Sequence, residues 1–152
     1  MKRIAMILIR DFPYKYPVFE QGQICVIMKV FFQTRSKPII HMESGAGAVA
    51  GFHSNPSSMY TEEYLCDIIK EHFQVFDSLR QMENNYLVGE MIWNFADFAT
   101  AQSSKRMFGN RKGLFTRDRN PKWPAYVVRD KYHDRRNFTS DQFDSKVGIH
   151  IF

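Results

Sequence analysis

The spacing of hydrophobic residues changes three times along the chain. Near the start, the apolar runs Ile4–Ile9 and Ile24–Phe32 flank a segment with Pro13, Pro17 and Gly22, which predicts strand, loop and strand. From Pro38, Ile39, Ile40 and Met42 make a short, almost continuous apolar strand, and the "SGAGAVAG" after it is too rich in glycine to extend it. Then Leu65, Ile68, Ile69, Phe73, Phe76 and Leu79 recur at three and four residues, the spacing of a helix with one buried face. Thr61 can cap its exposed amides, and Glu62 and Glu63 suit the positive end of its dipole.

After the polar turn "QMENN", the segment "YLVGEMIWNF" at 86–95 is apolar on successive positions, as in a strand covered on both faces. Strand, helix and buried strand form a βαβ unit, so the two strands should run parallel. A second helix is predicted in "NPKWPAYVVRDKY", where Pro124 is tolerable in the first turn and Val127, Val128 and Tyr132 can pack. The predicted class is α/β.

Length and composition fit one packed domain: 152 residues, 44% apolar and 15% aromatic. Cys25 and Cys66 have neither metal-site spacing nor the density of a disulfide framework; at most they allow one bridge. Arg10 and Asp11 cut the first apolar run short of a normal signal-peptide core, and no run reaches membrane-spanning length. No membrane is therefore expected as a partner, and the chain reads as soluble.

The net charge of +5 is unevenly spread. Residues 43–97 hold nine acidic side chains against Lys70 and Arg80. Residues 105–136 hold eleven basic and three acidic ones, interleaved with Phe108, Phe115, Trp123, Tyr126 and Tyr132. Cations mixed with rings are what a nucleic-acid surface needs, yet no recognised binding motif organises them, and a solvated basic face is the simpler expectation. Nucleic acid is not expected as the partner.

Ligands of parallel α/β folds bind beyond the carboxyl ends of the strands. Glu43 ends the first strand of the βαβ unit and Glu90 lies near the end of the second, which would direct both toward one site; an acidic residue there can equally be solvated or paired. A metal site from His41, Glu43 and Glu90 lacks a third oriented ligand, so no metal and no cofactor is expected.

Taken together, "KPIIHMESGAGAVAGFHSNPSSMYTEEY", "VGEMIWNFADF" and "GNRKGLFTRDRNPK" closely resemble the C-terminal part of the β-glucuronidases of glycoside hydrolase family 2, from about Lys37 to Tyr132. The resemblance implies a partial TIM (β/α)8 barrel corresponding to the last two β/α units at 37–132, an unrelated N-terminal segment at 1–36 and a C-terminal tail at 133–152. It places Glu43 at the position of the catalytic nucleophile, the carboxylate that attacks the anomeric carbon in a retaining glycosidase. Asn110 and Lys112 match the residues that grip the sugar carboxylate, where charge-assisted hydrogen bonds favour an acid sugar. Arg106 matches a further basic residue of that subsite, and Trp93 the aromatic wall, although Trp93 also reads as a core tryptophan. Glu90 matches a shared carboxylate with no assigned step. Asn137-Phe138-Thr139 is a glycosylation sequon where animal relatives carry one.

Two departures stand beside the match. Ser44 comes after Glu43 where the family has tyrosine, and Gly47 stands where an acidic residue is usual. The family's general acid lies in an Asn-Glu motif on an earlier strand, and nothing in 1–36 resembles it. The expectation is a β-glucuronidase-like fragment from a truncated or rearranged copy, inactive alone. The alternatives are hydrolysis of β-D-glucuronosides after association with a complementary or full-length β-glucuronidase, and a non-enzymatic interaction module with a basic nucleic-acid-binding segment at 105–136. The family's lysosomal location in animals comes from the resemblance only.

Overall fold

The computed structural model describes residues 5–7, 39–82, 87–102 and 108–138. In chain order these form β1 (Ala5–Ile7), β2 (Ile39–Ser44), α1 (Glu62–Arg80), β3 (Leu87–Ile92) and α2 (Trp123–Phe138). The strands make one sheet in the order β1-β2-β3, with both pairings parallel. The predicted βαβ unit is β2, α1 and β3. Two differences concern the ends of the expected barrel portion. Ala5–Ile7, expected to belong to an unrelated segment, is the sheet's first strand and pairs with Ile39–His41. Helix α2 runs to Phe138, so the tail expected from residue 133 begins inside a helix. The predicted strand at Ile24–Phe32 lies outside the described residues, as does Cys25.

Helix α1 starts where its cap predicts. The Thr61 hydroxyl oxygen accepts the Tyr64 amide at 3.2 Å, satisfying one of the donors that a helix start leaves free. Leu65, Ile69, Phe73, Phe76 and Leu79 are buried, with Ile39 and Leu87 of the sheet on one side and Ala125 and Val128 of α2 on the other. Each fully buried chain of this kind contributes about 1.5–3 kcal/mol. Cys66 joins them as a free thiol that burial pushes up to about 12, so it is inert. An edge-on contact of Phe73 with Tyr132 at 5.9 Å and an ion pair of Lys131 with Asp77 tie α2 to α1.

Strand β3 is not covered on both faces as expected: Val88 and Met91 remain exposed. Helix α1 covers one face of β2 and β3, and no described element lies over the other.

Candidate functional site

Side chains of a regular strand alternate between faces, so residues three apart point opposite ways. In β2 they do not: Ser44 Oγ lies 3.1 Å from His41 Nδ1. The pairing shows why. His41 opposes Glu90 and Ser44 opposes Ile92, so three steps along β2 match two along β3. The extra residue is a β-bulge, which bends the strand and re-aims the side chains after it. Burial along β2 has the same irregularity, with Ile39, His41 and Ser44 buried and Ile40, Met42 and Glu43 only partly so. Ile39, His41 and Ser44 face α1, and alternation across the bulge assigns the partly buried Glu43 to the opposite, open face at the carboxyl end of the strand.

The bulge separates two carboxylates that the sequence would bring together. Glu90, opposite His41, lies on the α1 side, where its Oε2 accepts Arg80 Nη2 at 2.8 Å and its side chain is 3% exposed. Glu90 thus joins the last turn of α1 to β3 instead of sharing a site with Glu43. Among the described residues Glu43 makes no hydrogen bond or ion pair.

His41 sits between strand and helix with its ring 4.9 Å from Phe76 and 5.7 Å from His72. Burial, with His72 alongside, holds the His41 pKa down at about 4, and burial alone brings His72 to about 4. Both rings are therefore neutral near pH 7. Among the described residues no three His, Cys, Asp or Glu side chains gather as a metal site would require.

Beyond the strand ends, three backbones converge. The Trp93 amide donates to Ser44 O at 3.0 Å, and the Asn94 amide to Lys112 O at 3.1 Å. A Cβ on Gly45 would lie 2.3 Å from Trp93 O and 3.9 Å from Lys112 O, so only glycine permits this approach two residues after Glu43. Trp93 is 40% exposed, which sets aside its reading as a core tryptophan.

Asn110 is buried and exchanges two backbone hydrogen bonds with Phe98. Its side-chain oxygen accepts the Lys112 amide at 2.9 Å, bending the chain between the two residues. Arg106 lies outside the described residues, and Asn137 falls within α2.

The residues missed in the sequence hold these loops together. Asp97 accepts the Gly113 amide at 2.9 Å and Lys122 Nζ at 3.0 Å through one oxygen, and its other oxygen faces Arg111 at 3.5 Å. Lys122, grouped in the sequence with a basic surface, has a side chain with no exposure. Glu62 is also buried: it accepts the Gly51 amide at 2.8 Å and the Trp123 amide, at the start of α2. A carboxylate there replaces the acidic first turn that α2 lacks. Among the described residues of the basic segment, Lys122 and Arg111 meet Asp97, Lys131 meets Asp77, and Arg119 lies over the Phe95 ring at 5.5 Å. No described helix is long and apolar enough to cross a membrane.

Comparison with known proteins decides the family. The model of glycosyl hydrolases family 2, TIM barrel domain, matches residues 5–137. The chain belongs to glycoside hydrolase family 2. The match begins within β1, well before Lys37, and so takes in part of the segment expected to be unrelated. The beta-glucuronidase of Felis catus is 44% identical over 119 residues, covering 78% of this chain, and that of Homo sapiens is 43% identical over the same length. The chain spans 18% of the length of each. Among solved structures, the beta-D-glucuronidase of Dictyoglomus thermophilum is similar with a TM-score of 0.69 and 43% identity, covering 74% of this chain and 19% of that one. A β-glucuronidase from Ruminococcus gnavus in complex with D-glucuronic acid is similar with a TM-score of 0.67 and 38% identity, with the same two coverages. The chain is thus a β-glucuronidase-like piece of the family's barrel domain.

Proposed function

We propose that the chain carries the nucleophile half of a retaining β-glucuronidase site and does not turn over glucuronides alone. The observation that supports this reading is the bulge at His41–Ser44, across which alternation would turn Glu43 to the open face beyond the strand end. Glu43 is the attacking carboxylate, Trp93 the wall for the sugar ring, and Asn110 and Lys112, with Arg106, the grip on the sugar carboxylate.

A retaining glycosidase needs a second carboxyl group about 5–5.5 Å from the first to protonate the departing oxygen. Glu90 is committed to Arg80, and Asp97 to Lys122 and Arg111. Neither is placed to donate a proton across a sugar from Glu43, and loss of positioned acid catalysis costs about 10²–10⁴ in rate. Association with a full-length β-glucuronidase or a complementary barrel portion would supply the acid that Glu90 and Asp97 do not.

The 152-residue chain, incubated with a chromogenic β-glucuronide, should release no more chromophore than a Glu43→Gln control. Turnover that is abolished in the control would overturn the inactivity. Turnover that appears only on adding a family relative inactivated at its own nucleophile would establish the assembled form.

A further inference from the structure

Lys122 is the residue immediately before α2, a position where a cation opposes the helix dipole and cannot cap the free amides. It is nevertheless held there with its side chain fully buried, donating to Ala48 O at 2.9 Å, Asp97 Oδ1 at 3.0 Å and Arg111 O at 3.1 Å. An ammonium has three N–H donors, and all three are used. The acceptors belong to three separate segments. Ala48 lies five residues after Glu43, Asp97 four residues after Trp93, and Arg111 stands between Asn110 and Lys112.

The clamp is closed from the other side as well. Arg111 O also accepts the Ala48 amide at 2.9 Å, and Asp97 Oδ1 also accepts the Gly113 amide. The backbone carbonyl between Asn110 and Lys112 is therefore fixed by two donors, one on the Glu43 loop and one on Lys122. A Cβ on Gly113 would lie 2.2 Å from the Asp97 amide nitrogen, so the third loop presses directly on the second. An apolar side chain at 122 could not replace this, because Ala48 O, Arg111 O and Asp97 Oδ1 would each lose a buried donor.

Resting on the function proposed above, we infer that Lys122, paired with Asp97, is a positioning residue. It sets where Asn110 and Lys112 stand relative to Glu43 and Trp93, and through them the preference for an acid sugar over its neutral analogue. Lys122 does not touch the sugar. Binding groups must be held to about 0.5 Å to keep their geometry, and one buried ammonium joining all three segments supplies that tolerance here.

The test uses the whole chain, with Lys122→Met and, to avoid leaving a buried carboxylate unpaired, Lys122→Met/Asp97→Asn. Hydrogen exchange is read amide by amide, and D-glucuronate and D-glucose are titrated as probes by amide NMR. In the double variant the amides of Ala48, Asn110 and Gly113 should exchange at least tenfold faster, while those of Leu65–Leu79 hold. Wild-type Asn110 and Lys112 should respond to glucuronate and not to glucose, and the variant should lose at least tenfold of that preference. Faster exchange confined to residues 121–123, or an unchanged preference, would overturn the clamp. A wild-type chain that treats the two sugars alike would defeat the proposed function instead, with exchange still deciding whether Lys122 couples the loops.

Discussion

Acidification provides a direct test of the packing between β2 and α1. His41 and His72 each have a pKa of about 4 in the folded chain, against 6.5 when unperturbed. A depressed folded pKa means that the unfolded chain takes up protons first. The stability these rings contribute is complete above about pH 6.5 and is lost as pH falls from there to about 4. At pH 5 the unfolded form of each histidine is favoured by about 2 kcal/mol, or about 4 kcal/mol for the pair, against a typical total of about 5–15 kcal/mol. Protonating one ring also hinders the other, since their centroids are 5.7 Å apart. Glu71, raised by burial and by Asp67, opposes this slope, because a carboxylate with a raised pKa favours the folded chain as pH falls.

Urea unfolding monitored by circular dichroism at pH 7.5, 6 and 5 would measure the effect. The wild-type chain should lose about 4 kcal/mol between the first and last of these, Glu71 reducing the figure somewhat. His41→Gln or His72→Gln should remove about half of the loss, and the double variant nearly all of it. A double variant that loses stability as steeply as the wild type down to pH 5 would refute the reasoning, because the protons would then be taken up elsewhere.

Two further substitutions probe the core and the loops. Phe76→Ala removes a fully buried ring of α1 and should cost about 3–5 kcal/mol in the same denaturation assay. Gly113→Ala forces a methyl group to within 2.2 Å of the Asp97 amide nitrogen, so it should cost at least the roughly 1–3 kcal/mol of ordinary overpacking and speed exchange at the Asp97 amide.

The elements were legible in the sequence where one physical rule acts alone. The three- and four-residue spacing from Leu65 to Leu79, and Thr61 ahead of two glutamates, gave α1 with its cap and buried face. Parallel pairing came from the length of the crossover between β2 and β3. The convergence of Trp93 and Lys112 on Gly45 was not in the spacing at all; the resemblance supplied the residue roles, and only coordinates supply the approach. Glu90 was misdirected because alternation along a strand fails at a bulge, and a bulge leaves no mark in the residue types His41-Met42-Glu43-Ser44. Lys122 and Asp97 were missed because charged residues are almost never fully buried unless paired, and pairing across 25 positions is invisible in a linear reading. One signal was present: lysine is a poor residue to place just before a helix.

Glu43 is presented by a count of residues more than by the chemistry of its neighbours. Deleting Met42 would leave two steps from His41 to Ser44, matching the two from Glu90 to Ile92. From His41 onward the ladder would then close evenly, and the side chains there would depend on ordinary alternation alone. Glu43, then the one residue between His41 and Ser44, would keep the open face by that alternation, so Met42 is the residue that the bulge accommodates, and spacing decides which face the glutamate takes.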